Sequence, residues 1–273
     1  LVARPVVVPA NFVGISTQDI VAAPGSAVHA LVRSWDYQGT RGFPNRCVVA
    51  RINPSAGTWD WQTFDELLSN NPTKQVIITL GQPADYLVSR AAVGGAYIGG
   101  KANMCPDDLV TWAAVVTTIV QRARDTHGRT GLIWQMWNEI DQTASYGDTV
   151  SLLGPYTRVT AQAIRAVDPS AVVVGPSIAG ADASKLAVAS SYINASDGAG
   201  GVSRQWLDGV AVHYYVQSAS QLSQFDNALR CAADYLNFQG AMAEARCNLP
   251  IYATETGVIA ANAQGGRSYR WRL

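Results

Sequence analysis

The sequence has few charged residues and no excess of either sign. Only 15% of its 273 residues are Asp, Glu, Lys or Arg, and 20 bases balance 20 acids. A chain without a basic surface has little to attract a phosphate backbone, so we do not expect nucleic acid as a partner. Long apolar runs are also lacking. The longest, such as 112–116, fall far short of the roughly 20 residues that cross a bilayer, so we expect no membrane partner.

Cysteine is scarce, and its spacing does not suggest a metal site. The four cysteines form no C-x-x-C pair and have no histidines at metal-ligand spacing: Cys47, Cys105, Cys231 and Cys247. We therefore predict no bound metal. The even count favours two disulfides, Cys231–Cys247 and Cys47–Cys105, and with them a secreted or periplasmic protein. Four buried thiols in a cytosolic protein are the alternative.

A glycine-rich phosphate loop is missing as well. The first candidate strand runs into Val13-Gly14-Ile15-Ser16-Thr17, which matches neither the dinucleotide-binding nor the P-loop pattern. The glycines of 94–100 neither follow a strand directly nor open a helix, and they indicate a loop. We therefore expect no nucleotide and no other cofactor.

Short apolar runs do alternate with amphipathic segments along most of the chain. This pattern predicts βα units around a parallel sheet. The expected strands are 12–16, 31–35, 76–80, 132–138, 172–175, 210–215 and 251–254. The expected helices are 64–69, 106–126, 150–167, 186–194 and 220–246. The pattern favours an α/β fold of the (β/α)8 TIM-barrel type, a single domain over 1–273 with an N-terminal extension over 1–10.

This barrel is expected to be incomplete. Only 18 residues follow Glu255, whereas one βα unit of a barrel takes about 30. The tail over 258–273 is polar and glycine-led, so we expect the eighth βα unit to be missing. An open barrel edge exposes unpaired backbone groups. We favour a homodimer that covers this edge over a fragment with an open edge or closure by Pro5–Pro9 of the same chain.

Two glutamates lie where candidate strands end. Glu139 closes Trp137-Asn138-Glu139 after the fourth strand, and Glu255 follows Thr254 after the seventh. In a barrel the carboxyl ends of the strands meet at one face, where active sites form. A single glutamate there is more often a salt-bridge partner or a helix cap, but a pair of carboxyl groups is what glycoside hydrolysis requires.

These segments resemble clan A of the retaining glycoside hydrolases. The stretch Ile52-Asn53-Pro54, followed by Gly57-Thr58-Trp59-Asp60-Trp61 and Phe64-Asp65, is similar to family 39 enzymes and their relatives, including β-xylosidases. The resemblance implies that Glu139 is the general acid/base, Glu255 the nucleophile and Asn138 a contact to the sugar. The family usually has proline where this chain has Ile140, so the following loop is expected to take a different path.

Further candidate contacts to substrate lie on other strands. His213 and Tyr215 share one face of the sixth strand by its two-residue period. The resemblance implies that Tyr215 binds the nucleophile and that His213 contacts substrate, although a buried core histidine is the alternative. Weaker substrate-binding candidates are Arg33, Trp35, Asp36 and Gln82. We expect Trp59, Trp61 and Trp137 to pack in the core instead.

The sequence thus favours an exported retaining glycoside hydrolase. Its substrates would be β-linked or arabinofuranosyl bonds in oligosaccharide or polysaccharide fragments. The alternative is a carbohydrate-binding or scaffold barrel that catalyses no reaction.

Overall fold

The computed structural model describes residues 14–16, 39–42, 47–218, 224–260 and 269–271, with side chains over 47–213, 233–252 and at Thr254. Five strands form one parallel sheet in sequence order: β1 (Gly14–Ser16), β2 (Gly39–Gly42), β3 (Gln75–Leu80), β4 (Ile133–Met136) and β5 (Val172–Val174). A second sheet contains β6 (Val210–Ser218), β7 (Ile251–Ala260) and β8 (Tyr269–Trp271). β6 and β7 are parallel, and β8 is antiparallel to β7.

Backbone contacts join the two sheets between β5 and β6. Val174 forms a parallel bridge with Gly209, and the N–H of Gly175 donates to the Gly209 carbonyl at 3.2 Å. The strands β1 to β7 therefore run parallel in sequence order around a partial TIM barrel.

Helices follow the strands and cover the sheet from outside. They are α1 (Val49–Ile52), α2 (Gln62–Asn70), α3 (Leu109–Gln121), α4 (Leu153–Val167), α5 (Ala183–Ile193) and α6 (Gln224–Glu244). α3 begins after Asp108, whose side chain accepts from the Val110 N–H, and a π turn over 122–126 extends it. α3 and α4 pack through Trp112, whose Nε1 donates to Thr160 Oγ1 at 2.8 Å.

The predicted elements from 64 to 254 are largely confirmed, and β1 lies within the first predicted strand, 12–16. The second strand was predicted over 31–35, which lies outside the described residues, whereas β2 occupies 39–42 between β1 and β3. The missing eighth βα unit is not confirmed. A short strand does form in the tail, but its antiparallel pairing with β7 differs from that of a barrel βα unit.

The predicted disulfides are wrong. The thiol of Cys47 contacts the Thr63 carbonyl at 3.4 Å, and that of Cys105 contacts the Leu152 carbonyl at 3.8 Å. Cys247 is likewise a buried thiol, so it does not pair with Cys231, whose side chain lies outside the described residues. The count of cysteines fits either state, and Cys47, Cys105 and Cys247 all pack in the hydrophobic core, where free cysteine is common. Among the described helices, none is long and apolar enough to span a membrane.

Candidate active site

β4 leads into a turn with an unusual backbone. All four residues of β4 are buried. Trp137 and Glu139 then adopt left-handed conformations, with φ of 55° and 43°. Such conformations cost about 1–3 kcal/mol in residues other than glycine and persist only where surrounding contacts hold them. The predicted continuation of the strand to Asn138 is therefore wrong, because the chain turns at Trp137.

Trp137 anchors this turn in the core. Its side chain is 0% exposed, and its Nε1 donates to the Ser145 carbonyl at 2.7 Å. It packs edge-on against Tyr146 and at 72° to the ring of Tyr156. A Cβ at residue 81 would lie 3.0 Å from its ring, which explains Gly81. The predicted core role of Trp137 is confirmed, and Trp59 and Trp61 also pack against the core.

The side chain of Glu139 contacts a buried histidine. Its Oε1 lies 2.8 Å from Nδ1 of His213 on β6. His213 is 0% exposed and the Glu139 side chain 22%, so the carboxyl keeps limited access to solvent. His213 therefore contacts Glu139 from a buried position. The contact of His213 with substrate stays a prediction.

Glu255 lies beside His213 in the sheet. The β6–β7 register pairs Val212 with Ala253 but His213 with Glu255, so Thr254 is the extra residue of a bulge. Bulges near active sites change the direction in which neighbouring side chains point. β7 continues to Ala260, so the prediction that its strand ends before Glu255 is wrong. The Glu255 side chain lies outside the described residues.

Several buried polar atoms of the barrel have no hydrogen-bond partner among the residues that the structure describes. In or just after β3, β4 and β7 these are both amide atoms of Gln82, Nε1 of Trp134, Oε1 of Gln135 and Oγ1 of Thr254. Native proteins leave few buried polar groups unpaired. A buried water, which both donates and accepts, can satisfy such groups.

The remaining predicted site residues are only partly described. Gln82 is 2% exposed with a φ of 50°, and Asn138 is 4% exposed beside Glu139. Tyr215 lies on β6 in register with Gly257, but its side chain lies outside the described residues. Arg33, Trp35 and Asp36 lie outside them entirely.

A second carboxyl group lies two residues beyond Glu139. Burial and the nearby charge of Glu139 raise the pKa of Asp141, although N–H donors including that of Ala179 oppose the shift. Asp141 Oδ1 accepts from Ala179 at 2.9 Å. This bond ties the turn after β4 to the segment after β5. Sequence analysis did not identify Asp141, because no motif distinguishes it from an exposed loop carboxylate.

Two long loops frame this end of the barrel. The loop over 81–108 follows β3, and the loop over 137–152 carries Glu139. Arg90 joins them, with Nε 2.5 Å from Oδ1 of Asp107 and Nη1 2.9 Å from Oδ1 of Asp148.

Ile140, where the family usually has proline, makes a main-chain contact in this structure. Its N–H donates to the Ser177 carbonyl at 3.3 Å, a bond that proline cannot form.

The described residues bring no metal site together. Within those ranges, no group of three or more His, Cys, Asp or Glu is arranged to hold a metal ion.

The chain is similar to solved structures of glycoside hydrolases. A monomeric β-xylosidase from Caulobacter crescentus CB15 matches with a TM-score of 0.66 at 19% identity, over 90% of this chain and 51% of that one. A GH39 enzyme from Xanthomonas axonopodis pv. citri gives 0.63 at 18%, over 92% and 52%. Xylanase 10B from Thermotoga maritima gives 0.60 at 14%, over 92% and 72%.

This likeness establishes the fold. In fold the chain resembles the GH39 structures, the family that its sequence motifs resemble. No family model matches the sequence, and no curated protein matches it at a significant level. The chain spans about half the length of the β-xylosidase it matches.

Proposed function

We propose that this chain carries the catalytic centre of a retaining glycoside hydrolase. One observation carries the proposal: the partly exposed carboxyl of Glu139 follows β4 and contacts His213, whose register partner on β7 is Glu255. The similarity to glycoside hydrolase barrels supports the same reading. Glycoside hydrolysis requires a pair of carboxyl groups.

In the proposed reaction Glu139 is the general acid/base and Glu255 is the nucleophile. Protonated Glu139 donates its proton to the glycosidic oxygen while ionised Glu255 attacks the anomeric carbon, and the bond to the leaving group breaks. Glu139, now ionised, takes a proton from water, which displaces Glu255 and releases the sugar with retained configuration. This mechanism requires carboxyl groups about 5–5.5 Å apart.

The test is turnover of aryl glycosides. We expect wild type to hydrolyse at least one member of a panel of xylosides, glucosides, galactosides, mannosides and arabinofuranosides. Glu255→Ala should abolish turnover, and azide should restore turnover of an activated substrate by Glu139→Ala. Glu66→Ala, which removes a carboxyl of α2 outside the site, is the matched control. NMR that shows the inverted anomer forming first would refute the mechanism.

The pH dependence tests the assignment of roles. Once Glu255 is ionised, its charge should raise the proton affinity of Glu139, as in other carboxylate pairs. The profile of kcat/KM should then be bell-shaped, with two apparent pKa values that belong to the pair. Glu139→Gln should remove the basic limb, and a basic limb left in place would overturn the assignment.

Binding without turnover would favour the alternative, a carbohydrate-binding barrel without catalysis. Saturable binding of oligosaccharides by a wild type that hydrolyses none of the panel is the outcome that distinguishes it.

Export and the homodimer stay predictions, and export has lost the support of the disulfides. Light scattering at micromolar concentration tests the homodimer.

A further inference from the structure

A buried serine contacts the main chain of the turn that carries Glu139. Ser177, in the segment after β5, is 0% exposed. Its Oγ accepts from the N–H of Glu139 at 3.2 Å and from Nε2 of Gln135 at 3.0 Å. Its carbonyl accepts from the N–H of Ile140 at 3.3 Å. One residue thus holds two consecutive N–H groups at the acid/base position.

This turn depends on such contacts. Trp137 and Glu139 both have left-handed backbones, which L-residues other than glycine adopt only when other interactions compensate. Gln135 Nε2 also donates to the Trp137 carbonyl at 2.9 Å. Gln135 and Ser177 together therefore bind the main chain of both left-handed residues.

The same segment also holds the strand that carries His213. The Ile178 carbonyl accepts from the His213 N–H at 2.9 Å, and Ala179 forms a parallel bridge with His213. Ala179 also donates to Asp141. We call Ser177–Ala179 the bridging segment. The bridging segment contacts the main chain of Glu139 through Ser177. Through Ile178 and Ala179 it also contacts the main chain of His213, which in turn contacts the Glu139 carboxyl.

We propose that Ser177 is a positioning residue for the acid/base. Its hydroxyl holds the left-handed main chain of Glu139, and this directs the carboxyl toward the leaving-group oxygen. Ser177 itself does not touch substrate. The proposal rests on the proposed function, because it assigns to Ser177 a role in the same reaction.

A misplaced acid has a specific kinetic signature. Proton donation matters when the leaving group is a poor one, such as an alkoxide or another sugar, and matters little when it is dinitrophenolate. General acid catalysis contributes about 10²–10⁴-fold, and a displacement of about 1 Å can cost about 10²-fold. For Ser177→Ala we therefore expect kcat/KM to fall about 30-fold for phenyl or alkyl glycosides and less than about 3-fold for the dinitrophenyl glycoside.

The experiment measures kcat/KM for a series of aryl glycosides from dinitrophenyl to phenyl, using the sugar that wild type prefers. The plot against leaving-group pKa should be steeper for Ser177→Ala than for wild type. Ser203→Ala is the matched control, because Ser203 is also 0% exposed and its hydroxyl contacts the Ala195 carbonyl, away from the turn. Ser177→Cys replaces the hydroxyl by a larger and weaker acceptor. It should steepen the plot in the same direction, and it carries the test if Ser177→Ala does not fold.

The outcomes separate the two proposals. An active wild type with equal slopes for wild type and both Ser177 variants would overturn the positioning role and leave the proposed function standing. An equal fall for every leaving group would assign Ser177 a purely structural role and overturn the proposal in the same way. A wild type that hydrolyses no glycoside refutes the proposed function, and the positioning role with it.

Discussion

Replacing Asn103 should loosen two loops at once while the barrel strands stay folded. Asn103 is 0% exposed in the loop after β3. Its Nδ2 donates to the Val93 carbonyl at 2.7 Å and to the Thr143 carbonyl at 2.9 Å, in the loop that carries Glu139. Its own carbonyl accepts from the Gly147 N–H at 2.8 Å. The amide group of one side chain therefore joins the two loops that frame the candidate site.

The expected magnitude follows from these bonds. Asn103→Ala removes two hydrogen bonds worth about 1 kcal/mol each and leaves two carbonyls without that donor. Against this, Oδ1 of Asn103 is buried with no partner among the described residues, so its removal relieves a penalty of about 1 kcal/mol. We expect the free energy of local opening to fall by about 1 kcal/mol, which is about 5-fold in the opening equilibrium.

Hydrogen exchange followed by mass spectrometry measures this opening. The amide of Tyr97, which donates to the Ala144 carbonyl at 2.8 Å, and that of Gly147 should exchange faster by about this factor. Amides of α4 should be unaffected. Asn194→Ala is the matched control, because its exposed amide donates to the Ser190 carbonyl and accepts from Arg204, away from both loops. Faster exchange in only one of the two loops, or equally throughout the chain, would refute the reasoning.

Two further predictions concern packing and pH. Gly175→Ala would place a Cβ 2.6 Å from Cβ of Met136 on β4, whereas Gly95 has nothing within 4 Å. The first variant should lose about 1–3 kcal/mol in thermal or urea unfolding and Gly95→Ala little. Burial opposes ionisation of Asp107, but hydrogen bonds from Ser89 outweigh it and lower its pKa from 3.8 to about 2. Its stabilising effect is therefore full above pH 3.8 and is lost as the pH falls toward about 2, so Asp107→Asn should weaken the acid dependence of unfolding across that window.

The buried strands and their helices could be predicted because their signals are local. The apolar run of 76–80 matches β3, and the expected helix over 64–69 lies within α2. The expected helix over 106–126 contains α3, which Asp108 caps one residue before the helix begins. In each case neighbouring residues encode the element through burial, periodicity or a helix cap.

β2 shows where local signals fail. Its residues, Gly39 to Gly42, contain two glycines, one arginine and a single β-branched residue, and nothing in that composition favours a strand. Pairing with β1 on one side and β3 on the other makes it one. The turn at Trp137 and the extensions of β6 and β7 have the same origin, since contacts between distant segments override the local pattern.

In the candidate site, too, some residues could be predicted from local sequence signals and others could not. Glu139 and Glu255 could be recognised because each follows an apolar run in the sequence, although β7 itself continues past Glu255. Ser177 and Asn103 could not, because each is a single polar residue whose partners lie 38 and 40 positions away. Kinetics should reflect this division: dependence on the leaving group should rise from wild type through Ser177→Ala to Glu139→Ala, since the first variant displaces the acid and the second removes it. A site that consisted only of the two carboxylates would explain the behaviour of wild type and Glu139→Ala. It would not explain an intermediate dependence in Ser177→Ala.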